Sequence, residues 1–206
     1  MMLPNLMPHI DVSRETIQLL EVYESLLRSW QGVKNLVGPS TVNELWGRHF
    51  ADSAQLLRLC PNAKRWVDLG SGAGFPGLVI AIFLKKTLGA HIDLIESDHR
   101  KCAFLRTVAR ETGAPASVHC GRIEDILPNF KNVDVLTARA LADMEKLLAW
   151  TGDLIQNGAT GLFLKGQDVA NELTIFSKYS SLTHKLVPSL TDPRASIVKV
   201  SSDVTN

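Results

Sequence analysis

The apolar positions change period partway along the chain. Over the first 60 residues they recur at helical spacing: Leu19/Leu20, Tyr23, Leu26/Leu27 and Trp30 follow one face. Ser13 is placed to cap that helix and Gly32 to end it. Gly38-Pro39-Ser40 reads as a loop. Thr41-Val42-Asn43-Glu44 has the Thr-x-x-Glu form of a capping box, opening a second helix toward His49. Leu56, Leu57 and Leu59 carry an apolar face to Pro61. Beyond that point short apolar runs alternate with helical stretches. Strands are predicted at Arg65–Leu69, His91–Glu96, Ser117–Cys120, Val133–Ala138 and Gly161–Lys165. Helices are predicted at Pro76–Leu84, Arg100–Glu111 and Met144–Ile155, with a short turn near Ile123–Leu127.

Alternating βα units of this length imply a parallel sheet covered on both faces. The end of the chain differs. Leu182–Leu190 and Ala195–Val200 read as two strands joined by Thr191-Asp192-Pro193-Arg194, a turn-forming sequence. A parallel sheet closed by a terminal hairpin resembles the seven-stranded methyltransferase fold. The predicted organisation is one α/β domain, with residues 1–62 as an N-terminal helical cap and 63–206 as a Rossmann-like, mostly parallel core.

Composition narrows the class without choosing a function. A chain of 206 residues suits one full domain, and 45% hydrophobic with 21% charged residues is globular rather than disordered. No apolar run approaches the roughly 20 residues needed to cross a bilayer. Met1 to Asp11 lacks the basic start and apolar stretch of a signal peptide. Cys60, Cys102 and Cys120 form no Cys-x-x-Cys pair, so buried free thiols in a reducing cytoplasm are expected, and no metal. With a net charge of +1, any contact with RNA must come from a local patch.

The sharpest chemical signal is Trp66-Val67-Asp68-Leu69-Gly70-Ser71-Gly72-Ala73-Gly74-Phe75-Pro76-Gly77. A strand runs into a glycine-rich turn, and Pro76 suits the first position of a helix. Glycines without side chains let a ligand approach the backbone, and the helix start adds exposed N–H donors. Gly72-Ala73-Gly74-Phe75-Pro76-Gly77 also satisfies the G-x-G-x-x-G of dinucleotide enzymes, a weak pattern alone. Both ligand classes expect an acid after the next strand to hold ribose hydroxyls, and Glu96 fits. Asp68 before the first glycine gives Asp-Leu-Gly-x-Gly-x-Gly, which looks like the first motif of methyltransferases. The terminal hairpin and the small size are expected to leave no separate substrate domain such as a dehydrogenase usually carries. Both features favour S-adenosylmethionine over NAD.

Further residues narrow the resemblance. Trp30 and Asn35-Leu36, Arg48-His49-Phe50-Ala51-Asp52-Ser53, Asp68–Gly77 with its Gly-Phe-Pro-Gly ending, and Leu94-Ile95-Glu96-Ser97 belong to it. Arg100-Lys101, Phe104-Leu105, Gly121-Arg122-Ile123-Glu124, Thr137-Ala138-Arg139-Ala140 and Lys165-Gly166 complete it. Over most of its length the chain resembles the glucose-inhibited division protein B family of bacterial 16S ribosomal RNA methyltransferases. The resemblance implies methyl transfer to N7 of a guanine in 16S ribosomal RNA. The substrate would be a small-subunit particle, and the enzyme a cytoplasmic monomer without membrane contact. It implies cofactor contacts from Gly70, Phe75, Ile123, Glu124 and Arg139, beside the loop residues Asp68, Gly72 and Gly74 and the ribose acid Glu96. Gln31, Lys34, Val37 and Glu96 depart from the family's usual residues, and no basic residue follows Val200.

Guanine N7 carries a free lone pair and no proton, so its methylation needs no general base. Placement of N7 in line with the methyl carbon is the main requirement, and positioning can contribute as much as about 7–11 kcal/mol. Arg139, at the end of the fourth strand, is the residue assigned to the catalytic step; it could hold the cofactor carboxylate or the guanine O6. Lys165 is the preferred phosphate contact; Arg100 beside Lys101 is a second RNA-facing candidate, although with Arg110 the pair reads slightly better as a solvated helix face. His49 and Asp52, at i and i+3, are expected to meet as a local brace. Trp30, Trp46, Trp66 and Trp150 are read as core. Other readings stay open: a methyltransferase acting on another RNA base or a small molecule, an NAD-binding oxidoreductase, and a non-catalytic cofactor-binding protein.

Overall fold

The computed structural model describes residues 12–32, 36–38, 44–167 and 169–203. The predicted features at Met1 to Asp11, Lys34-Asn35, Pro39-Ser40 and Thr41-Val42-Asn43 lie outside them. Helix α1 (Arg14–Gln31) starts where Ser13 Oγ accepts the Thr16 N–H at 3.1 Å, and Gly32 caps its end. Leu20, Tyr23 and Leu27 form its buried face, as the spacing requires. The next segment departs from prediction. Leu45–Ala51 is a π-helix that tightens through α2 (Asp52–Ala54) into a 3₁₀ turn at Gln55–Arg58. A π-helix turns more widely than an α-helix, and such segments gather at functional sites.

The sheet contains β1 (Arg65–Leu69), β2 (His91–Glu96), β3 (Ala116–Cys120), β4 (Val135–Arg139), β5 (Thr160–Lys165), β6 (Leu182–Pro188) and β7 (Ser196–Ser202). Their order is β3-β2-β1-β4-β5-β7-β6. β1 to β5 run parallel, whereas β7 is antiparallel to both β5 and β6. β4 begins two residues after the predicted start. There the Asp134 carboxylate accepts the Lys64 and Arg65 N–H groups at 2.7 and 2.9 Å, tying the strand's entrance to β1.

Helices α3 (Gly77–Phe83), α4 (His99–Thr112), α5 (Ile123–Ile126) and α6 (Met144–Gln156) follow successive strands. α7 (Val169–Glu172) and a 3₁₀ turn at Leu173–Lys178 were not predicted. Alternate residues of each strand feed opposite layers. Trp66 packs among α1, α3 and α4, whereas Val67 and Leu69 pack toward α6 and the hairpin. Of the four tryptophans only Trp66 is fully buried. Trp30, Trp46 and Trp150 lie at the edge of the core, because Trp46 turns its N–H to Glu24 and Lys146 covers the Trp150 ring. All three cysteines are free, with Cys102 buried and Cys60 and Cys120 half-buried.

The strand order reverses between β1 and β4. At such a switch point the following loops diverge to opposite faces and leave a crevice at the strands' carboxyl ends. Leu69 and Ala138 are paired neighbours there, so the glycine loop and Arg139 reach the same crevice from adjacent strands.

Candidate active site

The glycine loop is held from behind. Asp68 is 1% exposed; its Oδ1 accepts Thr137 Oγ1 at 2.7 Å and its Oδ2 accepts the Gly77 N–H at 3.3 Å. A carboxylate facing the first N–H groups of α3 suits the positive end of that helix. Burial nevertheless pushes the Asp68 carboxyl up to about 6, partly offset by hydrogen bonds from Thr137, Ser71 and Gly77. At 1% exposure, with each oxygen hydrogen-bonded inside the protein, Asp68 braces the loop from behind.

The glycines divide by what surrounds them. Gly72 takes a φ of +57°, and a Cβ there would meet only the Gly70 carbonyl oxygen, at 3.7 Å. A Cβ on Gly77 would instead collide with Leu94 and lie 2.8 Å from the Asp68 Cβ. Gly77 is therefore required by packing, whereas Gly72 leaves open space beside half-buried backbone. At Gly70 an added Cβ would collide with Leu141, so the loops after β1 and β4 touch. The cap reaches this loop as well: the Tyr23 hydroxyl donates to the Ala73 carbonyl, and its ring stacks on Phe75 with centroids 5.4 Å apart. Sequence spacing put Tyr23 in the core but did not identify the partner its buried hydroxyl needs.

Glu96 closes the other side. Only 7% exposed, it accepts the Gly72 N–H through Oε2 and the Asp98 N–H through Oε1, both at 2.8 Å. Each carboxylate oxygen has a second acceptor position, so these two bonds leave capacity for ligand hydroxyls. The Glu96 carbonyl accepts the Gly121 N–H at 3.0 Å, which brings the start of α5 alongside. Ile123 is buried there and Glu124 exposed. Gly72 and Glu96 are thus joined beyond the ends of β1 and β2, where Phe75 and Ile123 are buried, Glu124 is exposed, and Gly74 is enclosed by Tyr23 and Leu78.

Across β4 lies a cavity of about 500 Å³, lined by residues that include Arg48, Asp52, Arg139, Leu141, Thr191 and Asp192. That size falls within the range of small-molecule sites. Arg139 donates through Nη2 to the Arg48 carbonyl at 2.9 Å. Its Nη1 is buried without a hydrogen-bond partner, 3.6 Å from Asp52 Oδ2. Burial lowers the Arg139 pKa from its usual value, with Asp52 opposing the shift. Directly after it, Ala140 holds a φ of +50°, a left-handed conformation that costs a side-chain-bearing residue roughly 1–2 kcal/mol. Such strain gathers at functional loops.

The expected His49–Asp52 brace is absent. The wide π turn carries His49 against Phe75, with ring centroids 4.7 Å apart, and neither ring nitrogen has a hydrogen-bond partner. Asp52 turns toward the hairpin, where Oδ1 accepts from Gln55 at 2.7 Å, Thr191 at 2.8 Å and Ser189 at 3.2 Å. Burial, then the charges of Arg139 and Arg48, hold the His49 pKa down to about 4. His49 is therefore a neutral imidazole near pH 7. The two ring nitrogens and Arg139 Nη1 are the buried side-chain polar atoms without hydrogen-bond partners among the described residues. All three belong to the neighbourhood of Phe75 and the cavity.

Lys165, expected to contact phosphate, is also engaged within the protein. Its side chain is 10% exposed, and Nζ donates to Glu172 Oε2 at 2.6 Å and to the Ala142 carbonyl at 2.7 Å. Glu172 also accepts the Met144 N–H at 2.7 Å, so the pair fixes the start of α6. Two of the ammonium's three donors serve this brace, and Lys165 also lines the cavity. Glu172 lies on the unpredicted α7, which is why spacing along β5 could not reveal it. Arg100 is exposed in the first turn of α4 and is not among the cavity-lining residues. Arg48, Asp192 and Thr191, which the sequence reading did not assign to the site, do line it. No group of three or more metal-ligating side chains occurs among the described residues.

The fold is shared with methyltransferases of known structure. The O-methyltransferase TomG from Streptomyces achromogenes, solved with SAM, matches with a TM-score of 0.62 at 16% identity, covering 96% of this chain and 92% of that one. The O-methyltransferase from Bacillus cereus, solved with SAH, matches with a TM-score of 0.63 at 12% identity, covering 98% and 100%. Sequence similarity is much closer to the ribosomal RNA small subunit methyltransferases G. That of Methylorubrum populi is 52% identical over 192 residues, 93% of this chain and 91% of the relative. That of Parvibaculum lavamentivorans is 50% identical over 191 residues, 92% and 84% respectively. Residues 16–198 match the GidB family, described as rRNA small subunit methyltransferase G, and the chain belongs to that family.

Proposed function

We propose that this protein transfers the methyl group of S-adenosylmethionine to N7 of a guanine in 16S ribosomal RNA of the small ribosomal subunit. The observation that carries this reading is the pairing of two compartments across β1 and β4. One is the glycine loop with Glu96, and the other is the cavity at Arg139. Family membership and the names of the relatives support the substrate class.

The residues present fit the cofactor. Gly72 offers open space beside half-buried backbone, and Glu96 has acceptor capacity for ribose hydroxyls. Ile123 supplies an apolar wall and Glu124 an acceptor for an adenine amino group. When bound, S-adenosylmethionine supplies an electrophilic methyl carbon on a sulfonium. The chain's own residues then have to orient and desolvate, because N7 gives up no proton. Arg139, at the seam of the two compartments, places a buried cation where an acceptor can complete its hydrogen bonding. His49 stays neutral and adds no further positive charge beside the cationic product. RNA phosphate contacts fall to exposed groups such as Arg100 and the surface around Arg48, since Lys165 is held by Glu172. A small-subunit particle as substrate and a monomeric enzyme belong to the same proposal.

Nucleoside mass spectrometry of small-subunit RNA from cells with and without the gene tests the reading. The expected result is loss of one 7-methylguanosine, restored by the purified protein with S-adenosylmethionine. Loss of a different methylated base would assign another target and overturn the N7 reading.

A further inference from the structure

Selecting guanine requires more than access to N7, because adenine carries the same acceptor. The two purines differ on the adjoining edge. Guanine presents an acceptor at O6 followed by a donor at N1–H, whereas adenine presents a donor at its 6-amino group followed by an acceptor at N1. A site that discriminates between them needs a fixed donor beside a fixed acceptor, in one order.

The cavity contains such a pair. Arg139 Nη1 is a donor with no hydrogen-bond partner, and Asp52 Oδ2 lies 3.6 Å away, too far for a hydrogen bond between them. Neither group is free to swing. Arg139 is fixed through Nη2 by the Arg48 carbonyl, and Asp52 Oδ1 is fixed by Gln55, Ser189 and Thr191. Three donors converge on Oδ1, and among the described residues Oδ2 faces Arg139 Nη1 without a hydrogen bond, so Asp52 is aimed from the hairpin side. An internal brace would be expected to close the pair to hydrogen-bond distance; this one is held apart at the cavity wall.

We propose that Arg139 Nη1 and Asp52 Oδ2 together read the O6/N1–H edge of the target guanine, with Asp52 as the residue that rejects adenine. This inference rests on the N7 reading above. The arginine donates to O6 and the carboxylate accepts from N1–H. Adenine sets donor against donor and acceptor against acceptor, leaving buried groups unpaired, which is the costly arrangement.

The test is single-turnover methyl transfer by the intact protein to small-subunit RNA carrying guanosine, inosine, adenosine or 2-aminopurine riboside at the mapped target. All four retain N7. Inosine keeps O6 and N1–H and is expected to react within about tenfold of guanosine, since only its 2-amino group is missing. Adenosine and 2-aminopurine lack that edge and are expected to fall by at least about 100-fold. In Asp52→Asn the guanosine-to-adenosine rate ratio is expected to shrink by about tenfold or more. That ratio, taken within one preparation, is independent of how much of the variant folds; the four-base comparison on the wild type needs no variant. Wild-type transfer to guanosine with equal transfer to adenosine, or an unchanged ratio in Asp52→Asn, overturns this inference alone. Absence of wild-type transfer to N7 overturns the reaction reading and this inference with it.

Discussion

The carboxylate of Glu96 accepts the backbone N–H of Gly72 at 2.8 Å, so the acid after β2 and the loop after β1 form one unit. An acid read as a ligand contact also sets the shape of the loop beside it. Glu96→Ala is expected to weaken S-adenosylhomocysteine by roughly 1.5–3 kcal/mol, the scale of a hydrogen bond to a charged group. Calorimetry measures this. Intact cofactor affinity with weaker RNA binding would show that Glu96 serves the other ligand.

The two ends of the glycine loop are expected to fail differently. Gly72→Val places a side chain in open space, so cofactor binding is lost while the fold survives, weakened by the strain of a positive φ. Gly77→Ala forces a methyl group against Leu94 and Asp68, and its main effect is a lower melting temperature. Melting curves with and without S-adenosylhomocysteine separate the two outcomes. Ligand stabilisation surviving in Gly72→Val would displace the proposed site.

Lys165→Ala is expected to destabilise the protein by about 1–3 kcal/mol, because Glu172 and the start of α6 lose a charged partner. The salt dependence of RNA binding is expected to stay the same, since Glu172 and the Ala142 carbonyl hold this ammonium inside the protein. A shallower salt slope in a stably folded variant would return Lys165 to the RNA surface.

Two buried groups titrate in opposition. Burial pushes the folded Asp68 pKa up to about 6 from its ordinary 3.8, so the folded state holds the extra proton and Asp68's contribution to stability falls as pH rises through that window. His49, lowered from 6.5 to about 4, makes the unfolded state hold the extra proton, so its contribution is lost as pH falls through the window. Asp68→Asn is therefore expected to compare more favourably with wild type at pH 7.5 than at pH 4.5. Thermal unfolding at both pH values measures the comparison; a constant difference would mean that Asp68 is not perturbed by burial.

Positioning and acid–base catalysis leave different pH profiles. With His49 neutral and N7 free of a proton, the single-turnover rate is expected to show no ionisation near pH 6.5. His49→Ala is expected to slow transfer with an unchanged profile, because it removes the ring stacked on Phe75. Arg139→Ala is expected to lower the rate or cofactor affinity in a folded protein. A wild-type ionisation near pH 6.5 that vanishes in His49→Ala would make His49 a base.

Much of the architecture was legible in the chain because it follows from local periodicity. The runs at Arg65–Leu69 and His91–Glu96 became strands with those bounds, Ser13 caps α1, and the terminal hairpin closes the sheet. The glycine loop and the acid following β2 were visible for the same reason: their roles depend on neighbours in sequence. What tertiary structure decided was the state of each side chain in contact with distant chain. Asp68 turned inward because Thr137 and Gly77 meet it, Lys165 was taken by Glu172, and His49 lost Asp52 because Leu45–Ala51 winds as a π-helix. The Arg139–Asp52 pair joins residues 87 positions apart, with Asp52 held by the hairpin more than 130 residues further on. Spacing along a chain fixes which face a residue takes, but hydrogen bonds and charges are settled by whatever the fold brings within about 3 Å.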